Sequence, residues 1–292
     1  MSCLAKSYDA GISLSNTNSS SSIINLSLIV FMSRIPSNAL LGSASSYAAG
    51  PWPRVQSSTF RLRRAFRLAA SSSDMFKYIQ LDLPPPLNSN VRKAEFIKSS
   101  TQIDDCPPDK LPEFALIGRS NVGKSSLINS LTRNDKLAKV SKEPGMTKLI
   151  NHYLINDCWY LVDLPGYGFA KAGKSSREEW LTFTKNFFIK RENLVSVFLL
   201  IDSSVPPQEV DKDCANWLAE CEVPFCIVFT KTDNRKKEMP ANAQNIRAFK
   251  QLMSEEWEEL PRCFETSSRT GAGRSELLGY VASLRELHLR ST

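Results

Sequence analysis

The chain has 292 residues, of which 37 are Lys or Arg, 30 are Asp or Glu and only two are His. This length is enough for one or two domains with a sizeable hydrophobic core. The seven cysteines are scattered without a Cys-x-x-Cys pair, which argues against a zinc site or a disulfide framework and favours reduced thiols in a reducing compartment. The scarcity of histidine also disfavours histidine-based catalysis.

The first 73 residues differ in composition from the rest of the chain. They contain nineteen serines and seven basic residues, and Asp9 is their only acid. Such a start is typical of an organelle transit peptide, so we expect residues 1–73 to be a disordered transit peptide; an ordinary disordered tail is the alternative. The apolar run at 23–32 is about half of the ~20 residues that span a bilayer, and we expect no membrane association.

The uncharged start of this leader, Met1–Ala5, favours the chloroplast as the destination. The arginine-rich stretch 61–67 is compatible with a mitochondrion. We therefore expect an organelle protein, with the chloroplast favoured and the mitochondrion as the alternative.

Most of the net charge of +7 belongs to the leader, which holds seven of the 37 basic residues and one of the 30 acidic ones. The remainder has 30 basic and 29 acidic residues, so the overall charge is no evidence for a nucleic-acid partner. Within that remainder, residues 119–191 have 13 basic against 6 acidic residues, and residues 192–292 have 12 against 16. We expect the basic half to serve nucleotide phosphates and to face a second polyanion.

Residues 74–112 are predicted to be a linker and an N-terminal edge strand. Leu83–Leu87 contains three consecutive prolines and breaks regular structure. The segment 91–100 is predicted to be a strand or extended segment at the domain edge. Residues 113–292 then form the nucleotide-binding domain.

The first core strand, 113–117, is followed by Gly118–Ser125, which fits the phosphate-loop pattern G-x-x-x-x-G-K-[ST]. A helix to about Arg133 comes next. A strand, a tight loop and a helix N-terminus gather backbone N–H groups around one anion. The pattern predicts that Lys124 contacts the β- and γ-phosphates of a nucleotide and that the Ser125 hydroxyl contacts Mg²⁺.

A flexible loop is predicted at 134–147, followed by a hairpin of strands 148–155 and 158–163. The hairpin ends in an Asp-x-x-Gly motif at Asp163 and Gly166. We expect Asp163 to hold Mg²⁺ through water and the Gly166 N–H to reach the γ-phosphate. The Thr147 hydroxyl is expected to ligate Mg²⁺ when the γ-phosphate is present, since Mg²⁺ takes oxygen ligands and keeps several waters.

The rest of the chain alternates helices with continuous apolar strands. Helices are predicted at 176–191, 209–221, 241–260 and 273–289, and strands at 195–201, 224–229 and 262–267. The aromatic residues of the first of these helices are expected in the core rather than as a base-stacking platform, and the acidic end of 241–260 as a solvated face. This pattern predicts a doubly wound, mainly parallel α/β sheet with one antiparallel strand and helices on both faces.

Thr230-Lys-Thr-Asp233 follows a strand and selects the base. The Asp233 carboxylate accepts hydrogen bonds from both N1–H and the 2-amino group of guanine, and adenine offers neither donor. We expect the aliphatic stem of Lys231 to cover the base plane and Thr266-Ser-Ser268 to present a backbone N–H to guanine O6. All these motifs fall at the carboxyl edge of the predicted sheet, where doubly wound folds bind ligands.

With these motifs in order, the sequence resembles the EngB-type (YihA- or YsxC-type) GTPases of the Era-like, translation-factor-related class over about residues 91–289. The resemblance implies a P-loop NTPase G domain that binds GTP or GDP with Mg²⁺ and acts in assembly of the large ribosomal subunit, here in an organelle. The resulting nucleotide-site residues are Gly118, Arg119, Ser120, Asn121, Val122, Gly123, Lys124, Ser125, Ser126, Pro144, Gly145, Met146, Thr147, Asp163, Gly166, Thr230, Lys231, Asp233, Thr266, Ser267 and Ser268.

Lys124, Thr147 and Gly166 are the expected catalytic residues. Tyr167 stands where Ras-like proteins carry a water-orienting glutamine, which predicts slow intrinsic hydrolysis. In some relatives an asparagine like Asn121 helps to hold K⁺, so K⁺-stimulated hydrolysis is one hypothesis and simple loop stabilisation by Asn121 the other.

Basic residues around the loops are expected to dock ribosomal RNA of the large subunit: Lys136, Lys139, Lys142, Lys148, Lys171, Lys174 and Arg177. A solvated basic surface is the alternative. We expect a monomer. The competing functions are a non-hydrolysing GTP-binding scaffold and an RNA-modification GTPase of the same superfamily.

Overall fold

The computed structural model describes residues 76–140, 149–167, 174–234 and 241–290, and for residues 174–177 it describes the backbone alone. The predicted transit peptide and the motif Pro144–Thr147 lie outside these ranges. Among the described residues, no helix combines the length and apolar character needed to cross a membrane. The six cysteines in these ranges are free thiols.

In the part of the chain that the structure describes, seven strands form a single sheet with the spatial order β1-β3-β4-β2-β5-β6-β7. Their bounds are β1 Ala94–Ser100, β2 Glu113–Gly118, β3 Ile150–Ile155, β4 Trp159–Asp163, β5 Leu194–Asp202, β6 Phe225–Thr230 and β7 Cys263–Glu265. Strand β3 runs antiparallel to both of its neighbours, and the pairings from β4 through β7 are parallel. The predicted sheet with one antiparallel strand is confirmed.

Within the described ranges, five α-helices cover the two faces of the sheet: α1 Lys124–Thr132, α2 Lys174–Lys190, α3 Glu209–Glu220, α4 Asn242–Ser254 and α5 Arg274–Leu289. Helices α1 and α5 pack on one face, and α2, α3 and α4 pack on the other. Strand β2 explains why helices are needed on both faces. Its Phe114 and Leu116 lie in the core beneath α1 and α5, and its Ala115 and Ile117 lie in the core beneath α2, α3 and α4. A strand that is apolar on both sides needs a helix layer on each.

The predicted helix 241–260 is wrong at its C-terminal end, since α4 stops at Ser254. Beyond it the chain turns so that Trp257 and Leu260 both enter the core, which a continued helix would not allow. Glu256 belongs to the acidic run predicted as a solvated face, yet its carboxylate accepts hydrogen bonds from Lys212 (3.1 Å) and Asn216 (2.7 Å) of α3. This part of the run fastens α3 to the end of α4.

The segment ahead of β2 is part of the folded unit. Leu260 accepts a hydrogen bond from the N–H of Ile79 and donates one to the carbonyl of Lys77, both 2.8 Å long. Ile79 is buried in the core on the α2–α4 side, and its partner Leu260 lies shortly before β7, at one edge of the sheet. Strand β1 forms the other edge. Residues 76–100 therefore run from one side of the sheet to the other.

Three ionisable side chains are buried at the amino end of β2. The Arg191 guanidinium makes an ion pair with Glu113, with Arg191 Nε 3.2 Å from Glu113 Oε2, and also donates to the carbonyl of Pro107. His152 Nε2 lies 3.3 Å from Glu113 Oε1. This cluster (Glu113, His152, Arg191) lies at the amino end of β2, and the phosphate loop follows the carboxyl end of the same strand. Because it is remote from the phosphate loop, we expect it to stabilise the fold.

Candidate guanine-nucleotide site

The phosphate loop joins the end of β2 to the start of α1. Asn121 (φ 62°) and Gly123 (φ 108°) both adopt left-handed conformations, which at Gly123 favours a residue without Cβ. Alternating backbone conformations of this kind turn successive N–H groups toward one concavity that binds anions. Helix α1 starts at Lys124, so its N-terminus adds partial positive charge at the same place.

The Asp-x-x-Gly segment (residues 163–166) follows β4, the next strand to β2 in the sheet. A Cβ placed on Gly166 would lie 3.1 Å from Lys124 Nζ and 3.0 Å from the carbonyl oxygen of Gly118. The backbone of Gly166 thus lies so close to the phosphate-loop lysine that a side chain at this position would require a small shift of its neighbours. This brings together the two residues that the sequence assigned to the γ-phosphate.

Asp163 lies at the end of β4 and is 2% exposed. Burial raises the pKa of this carboxyl group to about 6, although the Lys124 ammonium and a hydrogen bond from Asn151 act in the opposite direction. Among the described residues its Oδ1 atom has no hydrogen-bond partner. A buried carboxylate oxygen with a free lone pair beside the phosphate loop fits a water-mediated Mg²⁺ contact, with the Ser125 hydroxyl in the first turn of α1 as the direct ligand.

The segment Thr230–Asp233 begins at the end of β6 and touches the phosphate loop. The Thr230 hydroxyl donates to the carbonyl of Val122 at 2.7 Å. Lys231 Nζ donates to the carbonyl of Asn121 at 2.7 Å and to the carboxylate of Asp202 at 2.6 Å. The stem of Lys231 is thereby stretched along the phosphate loop, where it is placed to cover a bound base.

Asp233 lies against the segment after β7, as the two guanine motifs require. Its carboxylate accepts hydrogen bonds from the Ser267 hydroxyl and, at 2.6 Å, from Arg269 Nε. These two donors hold the pKa of Asp233 below its ordinary value. Because the carboxylate is ionised at neutral pH, it is ready to accept hydrogen bonds from guanine. Thr266 is fixed beneath it, with its N–H donating to Phe229.

The remaining predicted residues divide into two groups. Ser120 and Ser126 lie in the phosphate loop and in the first turn of α1, and both are partly exposed, as is Ser268 beside Asp233. The predicted loop residues Pro144, Gly145, Met146 and Thr147 lie outside the described part of the chain. Of the predicted flexible loop, residues 135–138 are an ordered turn, since the Asn129 side chain bonds to Asp135 and Ala138.

Three side chains near the site carried no recognised motif. Asp202 ends the apolar strand β5 and pairs with Lys231; burial opposes its ionisation, but the lysine and Ser204 keep its pKa below the ordinary value. Arg269 directly follows the Thr-Ser-Ser triplet. Asp211, in the first turn of α3, binds Arg119. The sequence did contain a clue for two of them, since Asp202 stands at the end of an apolar strand and Arg269 directly after a motif. It contained no such clue for Asp211.

Tyr167 does not face the phosphates. Its side chain is 3% exposed, its ring packs edge-on against Trp180, and its hydroxyl donates to Asp211. In the described position this residue therefore cannot orient a water molecule for attack on a nucleotide. Arg119, expected among the nucleotide contacts, also directs its guanidinium to Asp211.

The sheet order, the phosphate loop and the flanking helices define a P-loop GTPase G domain. Residues 113–231 match the family described as 50S ribosome-binding GTPase. The chain is 49% identical over 196 residues to the probable GTP-binding protein EngB of Porphyromonas gingivalis, covering 67% of this chain and 96% of that protein. The chain belongs to the EngB family of GTP-binding proteins.

A plant relative and a solved structure also match. The chain is 51% identical over 199 residues to GTP-binding protein At2g22870 of Arabidopsis thaliana, covering 68% of this chain and 66% of that one. A crystal structure of a probable GTP-binding protein engB has a TM-score of 0.47 and 21% identity, over 60% of this chain and 98% of that chain.

Proposed function

We propose that this protein hydrolyses GTP to GDP as a switch in assembly of the large ribosomal subunit of an organelle, and that it acts as a monomer. The close approach of Gly166 to Lys124 is the observation that supports a switch. A lysine that holds the β- and γ-phosphates lies next to a backbone amide whose position changes with the presence of the γ-phosphate. The protein would thus distinguish GTP from GDP at the contact between Gly166 and Lys124.

Each part of the nucleotide has residues to receive it. The backbone N–H groups of the phosphate loop and Lys124 would bind the phosphates. Asp233, held between Ser267 and Arg269, would bind the base. Bound Mg²⁺ would neutralise charge on the β- and γ-phosphate oxygens, held by Ser125, by Thr147 and, through water, by Asp163. The ionised Asp233 excludes adenine because adenine offers it no pair of donors.

Hydrolysis needs a group that orients water, and Tyr167 is turned away from the phosphates. We propose that this group comes from outside the described site, as K⁺ held near Asn121 or as part of the ribosomal particle. Asn121 is exposed at the left-handed turn of the phosphate loop. Slow intrinsic hydrolysis is expected as a consequence.

The ribosomal partner is supported by the description of the matching family, 50S ribosome-binding GTPase, and by charge. Lys136 and Lys139 are exposed in the segment that follows α1. Of the remaining basic residues predicted for this surface, Lys142, Lys148 and Lys171 lie outside the described residues, and for Lys174 and Arg177 only the backbone is described. Binding to RNA through such a surface would weaken steeply as the salt concentration rises.

The direct test is GTP turnover by the purified protein in K⁺ and in Na⁺ buffers, with and without large-subunit particles from plastids. We expect faster turnover with particles and in K⁺. Equal rates in the two salts would remove K⁺ from the mechanism. Tight GTP binding without turnover under any of these conditions would instead support the non-hydrolysing scaffold.

The proposed destination is tested separately with residues 1–73 fused to a fluorescent reporter. The serine-rich, acid-poor composition of this leader supports import into the chloroplast, and the mitochondrion is the alternative outcome. A reporter that stays in the cytosol would contradict the organelle proposal without affecting the assignment of the nucleotide site.

A further inference from the structure

The Asp211 carboxylate is buried between two loops of the nucleotide site. It lies in the first turn of α3 and is 1% exposed. Arg119 Nε is 2.9 Å from its Oδ1 atom and 3.0 Å from its Oδ2 atom, and the Tyr167 hydroxyl donates to Oδ1 at 2.8 Å. A buried carboxylate is costly unless charged or polar donors surround it, and here both donors come from outside α3.

The two donors belong to the two loops that meet at the phosphates. Arg119 is the second residue of the phosphate loop, and Tyr167 directly follows Gly166. The same loops are joined by backbone hydrogen bonds, because the Tyr167 N–H donates to Gly118 and the Ser120 N–H donates to Tyr167, each at 3.2 Å. We call Arg119, Tyr167 and Asp211 the Asp211 cluster.

This cluster lies directly beside Gly166. Gly166 is the neighbour of Tyr167, and a Cβ on Gly166 would be only 3.1 Å from Lys124 Nζ. If the Tyr167 side chain leaves Asp211, one of the restraints that keep Gly166 beside this lysine is lost. The N–H of Gly166 can contact a γ-phosphate held by Lys124 only while that separation is kept.

We propose that Asp211 is a positioning residue that holds the Asp-x-x-Gly segment against the phosphate loop and so sets the preference for GTP over GDP. The inference rests on the proposed function, since it assumes that both nucleotides bind at this site. Asp211 itself touches neither nucleotide. Its effect passes through Tyr167 to Gly166 and through Arg119 to the phosphate loop.

The environment of Tyr167 agrees with this role. Its ring is enclosed by the core and by Trp180 of α2, whose indole N–H donates to the carbonyl of Pro165 at 3.0 Å. Burial and the nearby Asp211 carboxylate raise the pKa of the Tyr167 hydroxyl well above its ordinary value. The hydroxyl therefore stays protonated and remains a donor to Asp211 throughout the physiological pH range.

The test compares Tyr167→Phe and Asp211→Asn with the unchanged full-length protein. Tyr167→Phe removes only the hydroxyl and keeps the ring. Tyr280→Phe is the matched control, because Tyr280 is a buried tyrosine in the other core, packed against Phe264. For each protein we would measure the Kd of GDP and of a non-hydrolysable GTP analogue with Mg²⁺, and the unfolding temperature.

We expect Tyr167→Phe and Asp211→Asn to reduce the preference for the GTP analogue over GDP by about five- to tenfold. The double variant should lose less than the product of the two single effects, because both substitutions weaken the same hydrogen bond between Tyr167 and Asp211. Tyr280→Phe should not change the preference for the GTP analogue over GDP, and its only expected effect is a lower unfolding temperature. If Asp211→Asn fails to fold, Tyr167→Phe decides the question alone.

An unchanged preference in Tyr167→Phe would overturn the inference, as would an equal change in Tyr280→Phe. If the unchanged protein binds both guanine nucleotides but the variants differ only in unfolding temperature, the Asp211 cluster is structural and the proposed function stands. If the unchanged protein binds neither guanine nucleotide, the proposed function fails and the inference fails with it.

Discussion

The hydroxyl of Thr230 donates a 2.7 Å hydrogen bond to the carbonyl oxygen of Val122. These residues are 108 positions apart in the sequence, one in the base-recognition segment and the other in the phosphate loop. Lys231 adds a second contact to the same loop at Asn121. Base recognition and phosphate recognition therefore share one rigid frame, and a change in either segment should affect both ends of the nucleotide.

Asp233→Asn should change the base that the protein prefers. The substitution replaces one carboxylate acceptor by an amide donor, so guanine loses a charge-assisted pair of hydrogen bonds. We expect about 100-fold weaker binding of GTP and GDP, and stronger binding of xanthine nucleotides, whose 2-carbonyl accepts from the new amide. The measurement is nucleotide titration with both bases.

Asp157→Asn is the control for that change. Asp157 lies in the turn between β3 and β4 in a left-handed conformation that asparagine also adopts readily, and its side chain is 59% exposed. This variant should bind guanine nucleotides as the unchanged protein does. Retained GTP affinity in Asp233→Asn would contradict the assignment of Asp233 to the base.

Gly166→Ala should selectively weaken binding of the GTP analogue. The added methyl group would lie 3.0 Å from the Gly118 carbonyl oxygen and 3.1 Å from Lys124 Nζ, so Gly118, Lys124 or the Asp-x-x-Gly segment must shift slightly where the γ-phosphate is expected to bind. We expect about a tenfold or larger loss for the analogue and a smaller one for GDP. Paired titrations of the two nucleotides provide the measurement.

Gly279→Ala is the matched glycine control for Gly166→Ala. A Cβ on Gly279, within α5, meets nothing within 4 Å. Alanine should stabilise the helix by roughly 0.5–1 kcal/mol and leave both affinities unchanged. Equal losses of GDP and analogue binding in Gly166→Ala would show that Gly166 does not distinguish the nucleotides.

Arg191→Met should destabilise the fold strongly. The substitution leaves the Glu113 carboxylate, which is 0% exposed, without its guanidinium partner. Breaking a buried ion pair in this way costs about 3–5 kcal/mol of unfolding free energy, which urea denaturation would measure. Arg290→Met is the control, since Arg290 is 61% exposed in its pair with Glu286, and we expect about 0.5 kcal/mol or less.

Glu113 should also determine part of the acid sensitivity. Burial opposes its ionisation, but His152 and Arg191 outweigh burial and hold its pKa below the ordinary value of 4.5. Its contribution to stability is therefore complete above about pH 4.5 and is lost as the pH falls through the lower pKa of the folded state.

The test of this pH dependence is Glu113→Gln, which cannot ionise. Its unfolding free energy should be lower than that of the unchanged protein at neutral pH and should fall less steeply with acidification below about pH 4.5. Urea denaturation at a series of pH values measures both slopes. Parallel slopes would show that Glu113 titrates alike in the folded and unfolded chains.

Local patterns were sufficient to predict most of the elements. The run Glu113–Ile117, the glycine-bearing loop and the apolar spacing of Leu127, Ile128 and Leu131 predicted β2, the phosphate loop and α1 closely. The end of α4 was not predictable in this way. Its apolar residues continue at helical spacing into Trp257 and Leu260, and only the contacts with the chain near residue 79 show that the helix has already ended.

The candidate site divides along the same line. Residues within a motif, such as Asp233 and Ser267, could be predicted to lie together because their motifs follow neighbouring strands. The structure brings these two residues into contact. Asp211 could not be found in this way, since it is 92 residues from Arg119 and 44 from Tyr167. A buried acid on an amphipathic helix has no local signature, because its partners are supplied by tertiary structure alone.

The path of residues 76–100 has a mechanical consequence. A force applied at residue 76 is borne first by the two backbone hydrogen bonds that join Lys77 and Ile79 to Leu260. The load then reaches β1 at the edge of the sheet, followed by its neighbour β3. Pulled from this end, the domain should come apart from its edge inward, so that the central strand β2 and the phosphate loop are among the last elements to give way.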